Sequence, residues 1–424
     1  MPPPPITETF STPRRVVITG IGMVTPLGLN SKETWDNLIS GKSGINPITS
    51  FDPENYETRI AAEIRNFDPT EFMEPKEARR NDRFSQFAIC ASIQAMDQAG
   101  LIIAEPDAAK AAVIIGSGIG GILTISEQFE VLHQKGPSRI SPFLVTKMLV
   151  DMASGQVSIK LGAKGPNYST VTACASGSDA IGHGFELIKR NGADVVIAGG
   201  TEASICPIAI SGFSAAGALS RRNDNPKESS RPFDAERDGF VMGEGSAILV
   251  IENLESALVR GARPIAEIIG YGSTSDSVHI TQPHPDGQGG ANAMRLALKQ
   301  GNISPFEIDY INAHGTSTPL NDRAETQAIK AVFEEHAYKI PISSTKSMTG
   351  HLMGAAGALE AAVCALSIQN GLIHPTINLF NPDPDCDLNY TSWTPIRGPV
   401  NTALSNSLGF GGHNSSLILK KFDN

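Results

Sequence analysis

The sequence has few charged residues, few cysteines and no long apolar run. Charged residues make up 18% of the 424 residues, below the roughly 25% typical of soluble domains. The 44 acidic residues outnumber the 34 basic ones, which gives a formal net charge of −10. A nucleic-acid-binding protein carries a basic excess, so this class of partner is excluded. Taken over the whole chain, the same balance also argues against an acidic partner held by charge.

The cysteines and the apolar runs indicate the cellular compartment. The five cysteines are an odd number without a CxxC pair, which predicts reduced thiols rather than a disulfide framework. No stretch approaches the ~18 consecutive apolar residues of a membrane span, and the first residues lack the pattern of a secretory signal. We therefore expect a cytoplasmic protein without a membrane span, with residues 1–13 as a disordered lead-in.

Short β-branched runs alternate with alanine-rich stretches, a pattern typical of an α/β protein whose sheets are covered on both faces. Residues 14–260 predict strands at 15–19, 111–115, 167–172, 194–198 and 247–251, and helices at 31–40, 83–100 and 176–190. Residues 261–424 repeat this order, with strands near 265–271, 309–313, 340–344, 402–406 and 416–421, and helices near 290–300, 323–336 and 354–370. The sequence thus predicts two pseudo-repeated halves whose strand-end loops meet at one cleft.

Two glycine-rich loops resemble cofactor motifs but lack their context. Residues 116–121 (GSGIGG) follow a predicted strand and match the GxGxxG pattern of dinucleotide sites. Such a site also needs an acidic residue at the end of a second strand about 20 residues on, where residues 136–142 read GPSRISP. Residues 20–25 (GIGMVT) lack the third glycine. We interpret both loops as tight turns and predict no nicotinamide or flavin cofactor.

Cys174 lies in the strongest local motif, TACASG at residues 172–177. A β-rich run ends at this cysteine and a predicted helix follows directly, which is the strand–turn–helix geometry of a nucleophile elbow. The positive end of the helix is expected to stabilise a thiolate and to lower the pKa of the thiol. The remaining cysteines are interpreted as small buried hydrophobic residues, namely Cys90, Cys206, Cys364 and Cys386.

Two histidine motifs occupy strand-end loops that the repeat directs toward Cys174. They are AHGTSTP, with His314, and KSMTGH, with Lys346 and His351. No ligand pair has the short spacing of a zinc motif, so no metal is predicted. A Cys–His hydrolase needs only one histidine and an amide, and this enzyme class stays open as an alternative. A second alternative is a non-catalytic scaffold or chain-length partner that has the fold of an enzyme without its activity.

Two histidines, a lysine and a cysteine suit a different chemistry. The thiolate takes an acyl group, and loss of CO₂ from a malonyl thioester leaves an enolate that attacks it. The enolate oxygen needs hydrogen-bond donors, which two neutral imidazoles can supply.

Together with the GFGG motif at residues 409–412, these motifs resemble the condensing enzymes of fatty-acid synthesis, the β-ketoacyl-[acyl-carrier-protein] synthases of type II. The similarity runs from about residue 14 to residue 424. The resemblance implies a thiolase-like, five-layered α/β/α/β/α architecture, and a decarboxylative Claisen condensation that elongates fatty acids by two carbons. It also implies acyl carrier protein as a partner, a homodimer and no cofactor.

The resemblance also implies roles for individual residues. Cys174 would accept the acyl group, and His314 and His351 would support decarboxylation and stabilise the enolate. The backbone amides of Cys174 and Phe410 would form the oxyanion hole, with the Phe410 ring as a gate. The supporting residues would be Lys346 with Glu360 for ordering the site, Asp322 and Glu325 for the polar network, Thr316 and Thr318 for the phosphopantetheine arm, and Ile119 and Phe213 for the acyl pocket.

Related families differ from this sequence at defined positions. Thiolases use a second cysteine near the C-terminal glycine-rich loop, which here reads LGFGGHNSS. Type III synthases have an asparagine where this chain has His351, and chain-length factors lack the nucleophilic cysteine. Three departures from the resembling family stand out: His413 where relatives carry a small polar residue, and Gly217 and Ser138 where they often carry basic residues.

Residues 76–83 (KEARRNDR) form the densest basic cluster of the chain. An ordinary solvated helix face would explain it. The resemblance instead implies docking of the acidic carrier protein by Lys76, Arg79 and Arg80, with Arg139 nearby. A local basic cluster can hold an acidic partner even though the net charge of the chain is negative.

Overall fold

The computed structural model describes residues 14–423, and the predicted lead-in at residues 1–13 lies outside them. The strands of this range are β1 (Val16–Val24), β2 (Asn46–Pro47), β3 (Ile60–Ala61), β4 (Ala111–Gly116), β5 (Asn167–Tyr168), β6 (Val195–Glu202), β7 (Gly245–Asn253), β8 (Ala266–Ser275), β9 (Tyr310–Asn312), β10 (Ile342–Ser343), β11 (Leu372–Ile373), β12 (Ile396–Arg397), β13 (Thr402–Gly409) and β14 (His413–Lys420). The helices are α1 (Ser31–Ile39), α2 (Pro75–Ala78), α3 (Arg83–Ala99), α4 (Ile122–Lys135), α5 (Leu144–Met148), α6 (Met152–Leu161), α7 (Ser176–Lys189), α8 (Pro207–Ala215), α9 (Leu254–Val259), α10 (Gln288–Gly301), α11 (Pro319–Phe333), α12 (Lys346–Thr349) and α13 (Ala356–Asn370).

The main sheet consists of two five-stranded halves with the same strand order. One half runs β1-β7-β6-β4-β5 and the other β8-β14-β13-β9-β10, and short antiparallel pairing between β1 and β8 joins them. In each half the two pairings nearest the junction are antiparallel, and the two pairings farthest from it are parallel. The repeat predicted from element order is therefore present in the sheet topology.

The halves stack as five layers. Helices α7 and α13 pack against each other between the halves, α3 covers the outer face of β1 and β7, and α10 covers β8 and β14. The outer helices approach closely because glycines face them: a Cβ at Gly22 would overlap the Ala91 carbonyl, and a Cβ at Gly272 would overlap the Ala293 carbonyl. The resulting α/β/α/β/α arrangement confirms the fold class.

The predicted element positions agree closely with the structure. Asn30 caps the first predicted helix, since its side chain accepts a hydrogen bond from the Glu33 amide at the start of α1. The strand predicted at 167–172 is shorter, because only Asn167 and Tyr168 pair with β4. The division of the chain at residues 260 and 261 stays a prediction. Within residues 14–423, no helix is both long and apolar enough to cross a membrane.

Candidate active site

Cys174 lies in a strained turn at the start of α7. Residues Ala173–Ala175 form a single 3-10 turn, and Ala173 has φ of 51°, a left-handed conformation that is rare outside glycine. The Ser176 hydroxyl accepts the Thr172 amide at 2.9 Å and donates to the Ala173 carbonyl at 2.7 Å, which holds the turn closed. Cys174 is 7% exposed and faces a cavity. The turn has the geometry expected of a nucleophile elbow.

The acidity of the Cys174 thiol differs from the sequence expectation. Burial raises its pKa to about 11, although the Lys346 ammonium and the Phe410 backbone N–H act in the opposite direction. The negative charges of Glu202 and Glu360 raise it further. The prediction of a lowered pKa was therefore wrong, because desolvation of the thiolate outweighs the favourable dipoles around it. The resting group is a thiol.

His314 and His351 converge on this thiol from the other half of the chain. His314 follows β9, and His351 follows α12. One ring nitrogen of each histidine and the sulfur of Cys174 all lie within 4.8 Å of one another. The two rings are edge-to-face, with centroids 5.3 Å apart and an interplanar angle of 84°. The strand-end loops of both halves thus meet at one cleft.

Both imidazoles are neutral near neutral pH. Burial lowers the pKa of His314 and of His351 well below the usual value, and the positive charge of Lys346 lowers both further. The Nδ1 atom of His351 accepts a hydrogen bond from the Met353 amide at 3.2 Å. The remaining nitrogen, Nε2, is buried and has no hydrogen-bond partner within residues 14–423. It is therefore free to donate to a bound group.

A buried ion pair supports the histidines from behind. The Lys346 ammonium pairs with the Glu360 carboxylate and donates to the His314 carbonyl at 2.6 Å. Burial raises the pKa of Glu360 to about 7, although Lys346 lowers it. The Lys346 charge lies near both imidazoles and adds to the larger effect of burial in lowering their pKa.

Two further carboxylates hold the loop that carries His314. Glu325 accepts the backbone amides of His314 and Gly315, each at 2.8 Å, and burial raises its pKa to about 7. Asp322 accepts the Phe233 amide at 2.9 Å and lies 3.4 Å from the Arg237 guanidinium. Both carboxylates are thus buried and hydrogen-bonded, and their role in a supporting polar network stays a prediction.

A cavity of about 360 Å³ opens in front of the thiol. Thr316 and Thr318 lie on its wall, with their hydroxyls 2.9 Å apart. Phe213 and Phe410 also line it, with ring centroids 6.4 Å apart. Ile119 does not line this cavity but joins Phe213 in the neighbouring apolar cluster. The cavity therefore contains the predicted arm-binding and gate residues, and the predicted pocket residue Ile119 lies beside it.

The four predicted docking residues are exposed, and one further arginine of the same basic run is not. Lys76, Arg79, Arg80 and Arg139 all lie at the surface. Arg83 ends the same run but is turned inward, where its guanidinium forms a bidentate pair with Glu244. Because an ion-paired arginine is already neutralised, Arg83 does not contribute to an exposed basic patch.

The sequence missed two residues of the site. The Phe240 ring packs edge-on against His351, with centroids 5.3 Å apart, and lines the cavity. Glu202 is fully buried at the end of β6, where it accepts hydrogen bonds from the glycine-rich loop after β4. The loop amides that a dinucleotide would need are thus occupied by a carboxylate. A buried acid at the end of an apolar strand (AGGTE) was the available signal for Glu202.

Comparison with known proteins identifies the family. Residues 13–257 match the N-terminal domain of the beta-ketoacyl synthases, and residues 265–380 match their C-terminal domain. A Synechocystis protein named 3-oxoacyl-[acyl-carrier-protein] synthase 2 is 52% identical over 409 residues, which cover 96% of this chain and 98% of that protein.

Solved structures agree with this assignment. A beta-ketoacyl synthase from Burkholderia phymatum has a TM-score of 0.90 and 37% identity, covering 97% of this chain and 100% of that one. A type II PKS ketosynthase in complex with its acyl-carrier protein has the same TM-score, identity and coverage. The chain therefore belongs to the β-ketoacyl synthase family, and it is a condensing acyltransferase of fatty-acid elongation with the thiolase-like fold.

Proposed function

We propose that Cys174, His314 and His351 perform the decarboxylative condensation of malonyl-carrier protein with a cysteine-bound acyl chain. One observation carries the assignment: a buried thiol and two neutral imidazoles lie within 4.8 Å of one another at a cavity. A hydrolase needs a single histidine oriented by an amide or carboxylate. Here two imidazoles lie near the sulfur, and within residues 14–423 neither ring is hydrogen-bonded to an orienting side chain. This arrangement favours stabilisation of an enolate over activation of water.

In the first half-reaction, Cys174 takes the acyl group from acyl-carrier protein. Its sulfur attacks the thioester carbonyl, and the carrier thiol leaves with the proton that the cysteine loses. The Phe410 amide already contacts the Cys174 sulfur, so it lies close to the oxygen of the tetrahedral intermediate. Together with the Cys174 amide it would supply the two donors of an oxyanion hole.

In the second half-reaction, malonyl-carrier protein occupies the cavity. The bond between its α-carbon and carboxylate breaks, CO₂ leaves, and the electron pair enters the enolate. The Nε2–H of His351 is free to donate to the enolate oxygen, and a ring nitrogen of His314 lies within 4.8 Å of the Cys174 sulfur and of a His351 ring nitrogen. Neutral donors suit this step because an imidazolium would transfer its proton to the enolate and quench it.

The enolate carbon then attacks the acyl-Cys174 carbonyl. A carbon–carbon bond forms, the carbon–sulfur bond breaks, and the cysteine leaves as a thiolate that takes one proton from solvent. The products are a 3-oxoacyl-carrier protein longer by two carbons, CO₂ and the free enzyme. Buried Lys346 and Glu360 do not line the cavity, so they act indirectly. Lys346 holds the His314 carbonyl by a hydrogen bond, and Glu360 fixes Lys346 by the ion pair.

We further propose that acyl carrier protein docks on the basic surface of Lys76, Arg79, Arg80 and Arg139. A related ketosynthase has been solved in complex with its acyl-carrier protein, and all four side chains are exposed here. The paired hydroxyls of Thr316 and Thr318 suit the polar phosphopantetheine arm. The cytoplasm is the compartment that we predict for this reaction.

A homodimer is the assembly that the exposed surface supports. Strand β5 forms one edge of the main sheet, and its outer side has no strand partner within residues 14–423. Large apolar side chains are exposed on and next to this strand, including Tyr168 at 36% and Val171 at 55% exposure. An exposed edge strand with apolar neighbours is typical of a buried interface. A second copy of this chain, pairing along β5, would cover both.

The test of the function is a two-substrate assay. Acyl-carrier protein alone should add the mass of the acyl group to Cys174. Addition of malonyl-carrier protein should then release CO₂ and form 3-oxoacyl-carrier protein in equal amounts. Free fatty acid without a 3-oxoacyl product would instead indicate a hydrolase and contradict the proposal.

A further inference from the structure

Glu202 is a fully buried carboxylate that the condensation chemistry does not use. It ends β6, and four donors surround it. Its Oε1 atom accepts the Ser117 hydroxyl at 3.0 Å and the Ile119 amide at 3.3 Å. Its Oε2 atom accepts the Gly118 amide at 2.8 Å and the Gly354 amide at 3.0 Å. Because every partner donates, the hydrogen bonds favour the ionised carboxylate, whereas burial acts against them and raises the pKa of Glu202 above its usual value.

The Gly354 contact lies at the counterpart of the Cys174 turn in the second half. Met353 starts a 3-10 turn with φ of 50° directly before α13, as Ala173 does with φ of 51° before α7. Gly354 and Cys174 are the middle residues of the two turns. In one half the turn faces substrate, and in the other half a protein carboxylate occupies the turn. Glu202 thus occupies, at the Gly354 turn, the position that substrate would occupy at the equivalent Cys174 turn.

This carboxylate connects two parts of the site that are far apart in the chain. On one side it holds residues 117–119, which carry the predicted pocket residue Ile119. On the other side it holds Gly354, the neighbour of Met353, whose amide sets the tautomer of His351. The two segments also approach each other closely, because a Cβ at Gly354 would overlap the Gly118 nitrogen.

The charge of Glu202 also reaches the nucleophile. The groups that act electrostatically on Cys174 are Lys346, which lowers its pKa, and Glu202 and Glu360, which raise it. Removal of the Glu202 charge should therefore make the thiol more acidic.

We propose that Glu202 is a positioning residue that locks the His351 turn against the Ile119 loop, so that enolate stabilisation and acyl-chain selection depend on one buried carboxylate. The proposal rests on the proposed function of His351 and Ile119. Glu202 does not line the cavity, so it acts through these two segments.

The test uses Glu202→Gln, which keeps the size but replaces one acceptor oxygen by an NH₂ group that faces a backbone N–H. Loss of hydrogen bonds to a charged group predicts malonyl decarboxylation and condensation about 10- to 100-fold slower. The preference among acyl-carrier primers of different length should change, and alkylation of Cys174 should occur at lower pH than in the wild type. Glu63→Gln is the matched control, because Glu63 is a buried carboxylate that accepts the Thr49 and Ser50 amides away from the cavity.

A second variant covers the case in which Glu202→Gln does not fold. Ser117→Ala removes one donor and keeps the charge, and it should change the primer preference in the same direction with a smaller loss of rate. A folded Glu202→Gln enzyme with wild-type decarboxylation, primer preference and alkylation profile would overturn the proposal. Absence of condensation in the wild type would instead overturn the proposed function, so the two failures are distinguishable.

Discussion

The Nδ1 atom of His351 accepts a hydrogen bond from the backbone N–H of Met353 at 3.2 Å. This contact assigns the proton of the neutral ring to Nε2, the nitrogen that has no partner within residues 14–423. Burial and Lys346 hold the pKa of the ring well below its usual value. His351 is thereby prepared as a neutral donor, and it cannot serve as the base that a hydrolase would need on that side, because its lone pair is already engaged.

Replacement of His351 by alanine should separate the two half-reactions. We expect malonyl decarboxylation to fall about 10²–10³-fold, the usual loss for one donor to a developing oxyanion. Transfer of the acyl group to Cys174 should change much less, because its oxyanion donors are backbone amides. Decarboxylation is measured as released CO₂ and acylation by intact mass. His336→Ala, at a half-buried histidine outside the cavity, is the control, and equal loss of both half-reactions would contradict the assignment.

The pH dependence of Cys174 alkylation tests the acidity of the thiol. With a pKa of about 11, the rate with iodoacetamide should rise about tenfold per pH unit between about pH 7 and pH 10, since only the thiolate reacts. Peptide mass mapping separates Cys174 from the four other buried cysteines. A plateau below about pH 8 would show a lowered pKa and would favour the expectation from the helix terminus alone.

The sequence predicts the position of Cys174 but not the direction of its pKa shift. The TACASG motif located Cys174 and its turn, because small residues between a β-rich run and a helix leave few other geometries. The sign of the pKa shift depends on how much water the folded chain removes from the sulfur, and on Glu202 and Glu360, which are 28 and 186 residues away in the chain. Local sequence carries no information on such contacts.

The docking surface is tested by reversal of charge at Arg79 and Arg80. Arg79→Glu with Arg80→Glu should raise the KM for acyl- and malonyl-carrier protein on the order of tenfold, with a weaker dependence on salt. Reaction with a coenzyme A surrogate should stay unchanged. The control is Lys299→Glu with Lys339→Glu, which makes the same change in net charge at exposed positions elsewhere. Equal loss with both acyl donors would count against the surface.

The basic run also shows the limit of a charge count. Lys76, Arg79 and Arg83 look equivalent in sequence, but Arg83 begins α3 and turns toward Glu244. Glu244 lies 161 residues farther along the chain, so the loss of one cation from the patch could not be predicted. By contrast, the helix and strand positions could be predicted well, because the periodicity and the glycine turns that define them are local.

His413 is expected to restrain the loop that carries Phe410. Its ring lies against Gly411, where a Cβ would come within 3.0 Å of ring atoms. The Gly411 amide also donates to the Ile280 carbonyl at 2.7 Å. His413→Thr removes the ring contact and should make acylation of Cys174 about two- to fivefold faster in stopped-flow assays, if opening of this loop limits access. An unchanged acylation rate would exclude a role of His413 in gating.

The most direct test of the central claim is the pair of rates in Cys174→Gln. The glutamine removes the acyl acceptor but leaves His314 and His351 in place. The account predicts that condensation is abolished, while decarboxylation of malonyl-carrier protein, measured as released CO₂, persists or increases. Cys206→Ser, at the N-cap of α8 where serine is well tolerated, should keep both rates. Formation of 3-oxoacyl-carrier protein by Cys174→Gln would contradict the assignment of Cys174 as the nucleophile.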